Sequence, residues 1–270
     1  MINFPNCKIN LGLSILEKRE DNFHNIETVF FPVPFSDVVE IISADKFSFS
    51  CSGIETGRSQ DNLCIKAYQL LKKDFPALPE VKMHLHKAIP VGAGLGGGSA
   101  DAAFTLRLLN EKYALKISNE TLMQYALKLG SDCPFFILNQ PAFATGRGEQ
   151  LKKIEIKLSG YFLLLVNPGI HINTGWAFSQ VTPSAKINSL SSVISKPIDS
   201  WKFELVNDFE VPVFEKYPEI RSIKEKLYAD GAVYASMSGT GSTVYGIFKQ
   251  QPVINFPTQY FQKSIYIKNN

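Results

Sequence analysis

The chain has 270 residues, which is enough for one large domain or two modest ones with buried cores. Its composition, 45% hydrophobic and 20% charged, is that of a folded globular protein and excludes a disordered chain as the default. The formal net charge of +3 is too small and too dispersed to hold a nucleic-acid backbone, so we expect no nucleic-acid partner.

The cysteines and the apolar segments favour a cytoplasmic protein without a membrane partner. The four cysteines form no Cys-x-x-Cys pair, which is typical of reduced thiols. Residues 1–13 lack the basic start and apolar run of a secretion signal, because Asn6, Lys8 and Asn10 interrupt them. The longest apolar run, residues 161–166, is far too short to span a bilayer.

Before residue 90 the sequence predicts mainly strands. Polar and apolar residues alternate over residues 81–86, which is typical of a half-buried strand. A helix is predicted over residues 62–73, with Asp61 as its N-cap. Further strands are predicted over residues 8–13, 37–42 and 46–50.

Two helices are predicted after residue 98, over residues 99–110 and 119–129. The second has a capping residue at Ser118 or Asn119 and stops at Gly130. Residues 131–134 predict a tight turn that leads into the apolar segment 135–138.

A shift in composition over residues 146–157 predicts a domain boundary, with lobes at residues 1–152 and 153–270. The second lobe is predicted to contain a helix that ends at Gly231. Taken together, the predicted elements indicate an α+β fold with two lobes. The elements predicted after the boundary are strands 161–166, 232–236 and 243–248 and the helix 218–229.

The densest feature of the sequence is a glycine cluster, with five glycines among the seven residues 92–98. Such a cluster costs backbone entropy, and its usual purpose is the close approach of a ligand to backbone N–H groups. A helix opening at Ser99 adds N–H donors and the positive end of its dipole. The cluster therefore predicts a phosphate-binding loop that needs no lysine.

Three other interpretations of the loop are weaker. Gly92, Gly94 and Gly97 match the dinucleotide fingerprint, but that motif belongs to the first strand–helix unit of a parallel fold. A Walker A loop requires Gly-Lys-Ser/Thr, and this loop offers Gly98-Ser99. A flexible linker is disfavoured because a strand and a helix flank the loop tightly.

Three sequence blocks carry a resemblance to a known family. They are residues 6–11 (Asn-Cys-Lys-Ile-Asn-Leu), residues 90–103 around the glycine loop and residues 237–242 (Met-Ser-Gly-Thr-Gly-Ser). In this order, and spanning nearly the whole chain, they resemble the galactokinase, homoserine, mevalonate and phosphomevalonate (GHMP) kinases. The resemblance implies a first lobe like the second domain of ribosomal protein S5 and a ferredoxin-like second lobe.

The resemblance also implies the reaction and its cofactors. Blocks at residues 23–28, 129–136 and 142–149 are similar to the branch of the family that phosphorylates a hydroxyl of a CDP-linked polyol. ATP is then the co-substrate and Mg²⁺ travels with it, without a dedicated metal site on the protein. The residues implied in nucleotide binding are Pro90, Val91, Gly92, Ala93, Gly94, Leu95, Gly96, Gly97, Gly98, Ser99 and Ala100.

The implied catalytic residues are Asp132 and Lys8. On spacing alone a helix cap is a weaker but respectable alternative for Asp132, and a lysine on an alternating strand is more often solvated. The resemblance makes Asp132 the general base for the attacking hydroxyl and pairs it with Lys8. An ammonium beside the carboxylate keeps it ionised and stabilises charge on the transferred phosphoryl group.

The implied acceptor-binding residues lie in several blocks. An aromatic–histidine pair, Phe23 and His24, stands where the family usually has tyrosine and histidine; the phenyl ring retains the stacking face but lacks the hydroxyl. By composition alone Phe23 and Phe178 are core aromatics and His24 is a surface histidine. The full set implied in acceptor binding is Asn10, Phe23, His24, Phe30, Phe178, Gly239 and Gly241.

Other functions remain open at this stage. They are another GHMP kinase acting on homoserine or a mevalonate derivative, a nucleotide-binding regulator without catalysis and, last, a dinucleotide oxidoreductase. We expect a small-molecule substrate as the partner and a monomer or weak homodimer as the oligomeric state.

Overall fold

The computed structural model describes residues 1–55, 61–184 and 189–268. The strands are β1 (Ile2–Asn3), β2 (Asn6–Lys18), β3 (His24–Ser36), β4 (Val38–Ser43), β5 (Ser48–Gly53), β6 (Val81–Lys87), β7 (Ala142–Thr145), β8 (Gln150–Lys153), β9 (Phe162–Asn167), β10 (Tyr234–Met237), β11 (Val244–Phe248) and β12 (Phe261–Tyr266). The helices are α1 (Leu63–Asp74), α2 (Gly97–Lys112), α3 (Asn119–Leu129), α4 (Cys133–Leu138), α5 (Thr174–Gln180), α6 (Leu190–Ile194), α7 (Ile198–Glu204), α8 (Glu210–Lys216) and α9 (Pro218–Ala229).

The chain forms two compact units. The first comprises Met1–Lys8, Phe35–Val91 and Gly96–Gln140, and the second comprises Ile9–Pro34, Gly92–Leu95 and Pro141–Asn270. Each unit is therefore built from segments that are separated in the sequence.

The first unit contains a four-stranded sheet in the order β1-β4-β6-β5. Pairing is antiparallel except between β5 and β6. Strand β6 is the one predicted over residues 81–86, and its alternate residues Val81, Met83, Leu85 and Lys87 are buried. Because successive side chains of a strand point to opposite faces, this alternation gives the sheet one buried and one open face.

The helices of the first unit begin and end at local capping signals. Helix α3 has the predicted bounds, and the Ser118 side chain accepts a hydrogen bond from the Thr121 N–H. Helix α1 was expected to have Asp61 as its N-cap. Asn62 holds that position instead and accepts from the Cys64 N–H, because it is the residue directly before the helix.

Two features near the glycine loop differ from the predictions. Helix α2 starts at Gly97, two residues before the predicted start at Ser99, directly after Gly96 with φ +70°. The apolar segment 135–138 belongs to the short helix α4, whose residues Cys133 to Ile137 are all buried. A proline in the first turn of a helix is tolerated there because its missing N–H would have no partner.

The second unit contains two antiparallel sheets, ordered β2-β3-β7-β8 and β10-β11-β9-β12. The apolar run predicted as a buried strand is β9, which lies between β11 and β12. Helix α9 has the predicted bounds, and Gly231 follows it at φ +94°. Strand β10 lies two residues beyond its predicted start, because its pairing with β11 begins at Tyr234 opposite Ile247.

Within the described ranges, no helix combines the length and apolar character needed to cross a membrane.

Candidate active site

The first unit brings Lys8 and Asp132 together. Lys8 Nζ lies 3.6 Å from Asp132 Oδ2. Asp132 holds the N-cap position of α4, yet its side chain makes no capping hydrogen bond. Its side chain is 36% exposed, so the carboxylate remains accessible to a ligand. The capping role that spacing allowed is therefore not the role of this carboxylate.

Lys8 is buried, with a side chain only 4% exposed, although its strand position alone favours a solvated lysine. Burial lowers the pKa of Lys8, and the nearby Asp132 carboxylate opposes that shift. The cost of burying an ammonium group is offset only when a partner carboxylate is close. The ion pair thus explains why the charge is retained inside the unit.

Lys8 also lies against the glycine loop. A Cβ atom added at Gly96 would meet Lys8 Cε and Cγ at 3.2 Å and Phe136 Cζ at 2.9 Å. Only glycine allows this approach at a positive φ. The start of helix α2 is therefore held next to the Lys8–Asp132 pair.

The N-terminus of helix α2 has features that favour an anion. Its N-cap, Gly96, has no side chain to cap the helix, and its first turn contains no acidic residue. The first N–H groups of a helix have no acceptor within the helix, and they attract anions. The neighbouring Ser99 hydroxyl forms a hydrogen bond with the Cys133 thiol, whose pKa burial raises to about 12.

The base of the loop is closed by a buried ion cluster that the sequence did not reveal. Lys87, at the end of β6, pairs with Asp101 of α2 at 2.8 Å and with Asp37. Asp37 Oδ1 also accepts hydrogen bonds from the N–H groups of Ala88 and Ile89, at 2.6 and 2.8 Å. Lys87 is thus buried and paired inside the first unit, and its ammonium group is not exposed to solvent.

The tip of the loop, residues 92–95, belongs to the second unit and contacts the glycine-containing segment 237–242 of the same unit. A Cβ atom at Gly94, whose φ is +77°, would overlap the carbonyl oxygen of Ser238. The Ser238 hydroxyl donates to the Gly94 carbonyl at 2.8 Å, and the Thr243 N–H donates to the Ala93 carbonyl at 3.2 Å. Gly94 is thus required by the protein's own backbone, not only by a ligand.

Asn10 is fixed by a hydrogen-bond network that includes residues missed at sequence level. Its N–H donates to the Ser238 hydroxyl at 3.3 Å, and its Nδ2 donates to Thr28 Oγ1 at 2.8 Å. The Tyr245 hydroxyl donates to the Asn10 carbonyl at 2.7 Å. Buried polar groups need such partners, and the hydroxyls of Thr28, Ser238 and Tyr245 supply them.

A second missed residue, Asn207, fixes the segment that contains Gly239 and Gly241. Its Nδ2 donates to the carbonyls of Met237 and Gly239, each at 2.8 Å. A Cβ atom at Gly239 would lie 3.5 Å from Asn10 Oδ1, so this backbone lies beside the Asn10 amide. The only sequence signal for Asn207 is its position as a polar residue before an apolar segment.

The predicted aromatic residues lie in the second unit. The rings of His24 and Phe178 are stacked, with centroids 4.9 Å apart and an angle of 17°. Burial, followed by the charge of Lys18, lowers the pKa of His24. The Phe23 ring is half exposed, and the Arg147 guanidinium carbon lies 4.5 Å from its centre. The structure thus brings His24 and Phe178 together and pairs Phe23 with Arg147.

Two other aromatic residues, Phe30 from the predicted acceptor-binding set and Trp176, pack against neighbouring side chains. Phe30 is only 2% exposed, and its ring would lie 3.5 Å from a Cβ atom at Gly148. Trp176 packs edge-on against Tyr217, and the Lys216 ammonium lies 3.9 Å from its ring centre.

In the described part of the chain, no group of three His, Cys, Asp or Glu side chains is arranged to hold a metal ion.

Comparison with known proteins defines the class first. The family model described as "GHMP kinases N terminal domain" matches residues 62–147, and "GHMP kinases C terminal" matches residues 198–260. A mevalonate kinase of Methanococcus jannaschii shares the fold at a TM-score of 0.68 and 12% identity, with 92% of this chain and 90% of that chain covered. The two-lobed α+β fold is that of the GHMP kinases.

Relatives of higher identity define the family. The 4-diphosphocytidyl-2-C-methyl-D-erythritol kinases of Cytophaga hutchinsonii and Bacteroides fragilis are each 51% identical to this chain. The alignments cover 93% and 94% of this chain and 94% of each relative. A crystal structure of 4-(cytidine 5'-diphospho)-2C-methyl-D-erythritol kinase superimposes at a TM-score of 0.80 with 29% identity, covering 92% of this chain and 90% of that chain. The chain belongs to the family of 4-diphosphocytidyl-2-C-methyl-D-erythritol kinases.

Proposed function

We propose that the chain transfers the γ-phosphate of ATP to the 2-hydroxyl of 4-diphosphocytidyl-2-C-methyl-D-erythritol, giving the 2-phosphate and ADP. This reaction belongs to non-mevalonate isoprenoid precursor biosynthesis. The observation that carries the proposal is the Lys8–Asp132 pair held against Gly96 at the start of α2. A carboxylate and an ammonium group beside the first turn of a helix support this proposal.

In the proposed reaction Asp132 accepts the proton of the acceptor hydroxyl. The hydroxyl oxygen forms a bond to the γ-phosphorus while the bond from that phosphorus to the ADP oxygen breaks. Lys8 keeps Asp132 ionised and stabilises negative charge on the phosphoryl group. No phosphoenzyme is formed.

The N–H groups of residues 90–100 are proposed to cradle the ATP phosphates. Mg²⁺ is proposed to enter with the nucleotide and to neutralise the β- and γ-oxygens when bound.

The direct test of the proposal is a coupled assay of ADP release with purified protein. We expect turnover with 4-diphosphocytidyl-2-C-methyl-D-erythritol and none with homoserine or mevalonate. Turnover with either of the latter would favour another GHMP kinase activity. ATP binding without ADP release for any acceptor would favour a regulator without catalysis. Because the chain belongs to a kinase family, the alternative function of a dinucleotide oxidoreductase has no support.

Replacing Lys8 by Met is expected to lower kcat roughly tenfold or more while the protein stays folded. Methionine has a volume similar to that of lysine but carries no charge. Asp132 is exposed enough for water to solvate its carboxylate when the ammonium group is absent. Steady-state kinetics and thermal unfolding measure the two effects. Lys249→Met, which breaks an exposed ion pair with Asp199, is the matched control and should leave kcat unchanged. A normal kcat in the Lys8 variant would remove Lys8 from the reaction.

The cytosine base is proposed to bind at Phe23, His24 and Phe178. Stacking needs flat ring faces, which Phe23 and Phe178 supply, and the neutral imidazole of His24 can donate or accept at the base edge. Asn10, Gly239 and Gly241 are proposed to contact the rest of the acceptor, and Phe30 to support the site from within the core.

Phe178→Ala is expected to raise KM for the CDP-linked acceptor roughly tenfold, with KM for ATP unchanged. The variant removes a ring face and also the support of His24. The comparison is with Phe203→Ala, which truncates a phenyl ring that is 80% exposed. Equal increases in both KM values, or none, would argue against this location of the base.

Three further points are proposed with this function. The functional division is into a nucleotide-binding and catalytic lobe at residues 1–152 and a substrate-side lobe at residues 153–270. The two family models support it, since they end at residue 147 and begin at residue 198. The protein is proposed to act in the cytoplasm as a monomer or weak homodimer.

A further inference from the structure

The buried cluster of Lys87, Asp37 and Asp101 contains one negative charge too many. Its side chains are 3%, 0% and 4% exposed, and the single ammonium group pairs with both carboxylates. With all three groups ionised, the cluster carries a net charge of −1 inside the first unit. An unbalanced charge is costly in such surroundings, and binding a proton relieves it.

The structure indicates which carboxylate takes that proton. Asp37 is satisfied by Lys87 and by the N–H groups of Ala88 and Ile89, which stabilise its ionised form. Asp101 accepts a hydrogen bond from Lys87 on Oδ2 and interacts with the Asp37 carboxyl group, which favours its neutral form, and its buried Oδ1 has no hydrogen-bond partner. The excess charge is therefore borne by Asp101, whose Oδ1 is the oxygen left to receive a proton.

The cluster lies directly under the loop proposed to bind ATP. Lys87 precedes the loop, and Asp101 lies in the first turns of α2 after it. A Cβ atom at Gly97 would come within 3.2 Å of Lys87 Nζ. A nucleoside triphosphate bound at the start of α2 would bring several negative charges close to the same cluster. Those charges favour its neutral form.

We propose that Asp101 is a proton-linked positioning residue, which takes up a proton when a nucleoside triphosphate binds the glycine loop. The inference rests on the proposed nucleotide-binding function of that loop. With Asp101 protonated, the Lys87–Asp37 pair is neutral. Asp37 still accepts hydrogen bonds from Lys87 and from the N–H groups of Ala88 and Ile89, which precede the loop. Nucleotide affinity therefore falls as the pH rises and Asp101 becomes ionised.

The electrostatics of the surroundings agree with this assignment. Burial raises the pKa of Asp101 to about 7, against the opposing effect of Lys87. Burial alone would lower the pKa of Lys87, but the two carboxylates outweigh it and the net shift is upward. The other titratable groups facing the cluster are the thiols of Cys7 and Cys64, whose pKa values burial raises, so both stay neutral. Asp101 is thus a carboxyl group whose neutral form the surroundings favour.

The test measures ATP affinity between pH 6.5 and 8.5 for the wild type and for Asp101→Asn. We expect the wild-type affinity for Mg²⁺·ATP, without acceptor, to fall about fivefold more over this range than that of the variant. Calorimetry at pH 7 in two buffers of different ionisation enthalpy should show more proton uptake by the wild type than by the variant. The ionisation of ATP itself is common to both proteins and cancels in the comparison.

Two further proteins keep the test decisive. Asp74→Asn alters an exposed carboxylate that accepts a hydrogen bond from Tyr125, and it should behave as the wild type. If Asp101→Asn does not fold, Asp101→Ser, which also leaves the Lys87–Asp37 pair neutral, takes its place. Equal pH profiles and equal proton uptake in wild type and variant would overturn this inference alone. Failure of the wild type to bind ATP at any pH would overturn the proposed function as well.

Discussion

The Asp132→Asn variant is expected to turn over at least about a hundredfold more slowly than the wild type while it still binds ATP. The amide keeps the size of the side chain but cannot accept the proton of the attacking hydroxyl. Since the Asp132 carboxylate makes no capping hydrogen bond and is 36% exposed, the change should cost little stability. Steady-state kinetics together with ATP titration separate the chemical step from binding.

The matched control for this variant is Asp199→Asn, because Asp199 is an exposed aspartate in an ion pair with Lys249. Its kcat should equal that of the wild type. A kcat within a few-fold of normal in Asp132→Asn would show that another group accepts the proton. An equal loss of ATP binding would show that the carboxylate acts on the nucleotide and not on the acceptor.

Gly94→Ala is expected to destabilise the fold by at least about 2 kcal/mol and to raise KM for ATP roughly tenfold or more. The new Cβ would overlap the Ser238 carbonyl oxygen and lie 3.1 Å from that of Gly241. Both neighbours are backbone atoms, so the loop itself must move. Denaturant unfolding and ATP kinetics report the two effects.

The Gly160→Ala variant distinguishes the loss of stability caused by backbone strain from the loss caused by steric crowding of a new Cβ atom. Gly160 also has a positive φ, +86°, but a Cβ atom there would meet nothing within 4 Å. This variant should lose only about 1 kcal/mol, the cost of the left-handed conformation, and should retain normal KM for ATP. Similar losses in the two variants would mean that the contact with Ser238 contributes nothing.

Local sequence patterns predicted some helices and strands closely and missed others, among them the short helices α5 to α8. Helices α3 and α9 have the predicted bounds; the Ser118 cap of α3 acts within one turn of the chain, and α9 begins at Pro218. The start of β10 was predicted two residues early, since a strand begins where a partner is available. The start of α2 was also misplaced, because Gly96 and Gly97 both look like loop residues locally.

The candidate site was only partly visible in the sequence. The glycine cluster predicted a phosphate-binding loop from its own composition, and the resemblance to the GHMP kinases nominated Lys8 and Asp132. The burial of Lys8 was not predictable from its strand, because a strand pattern does not say which face is covered. Its position beside Asp132 follows from how β2 and α4 pack within the first unit.

By itself the sequence determined the α+β class and the positions of elements such as α3, α9 and β6, and it nominated the residues that we propose for the chemistry. Composition, periodicity and glycine density act over a few neighbouring residues, and these signals survive without a fold. The tertiary structure alone decided that Ser238 fixes Asn10 across 228 positions and that Lys87 joins Asp37 to Asp101. Such contacts form only when packing of the whole chain outweighs the entropy of closing long loops, and no local pattern records that balance.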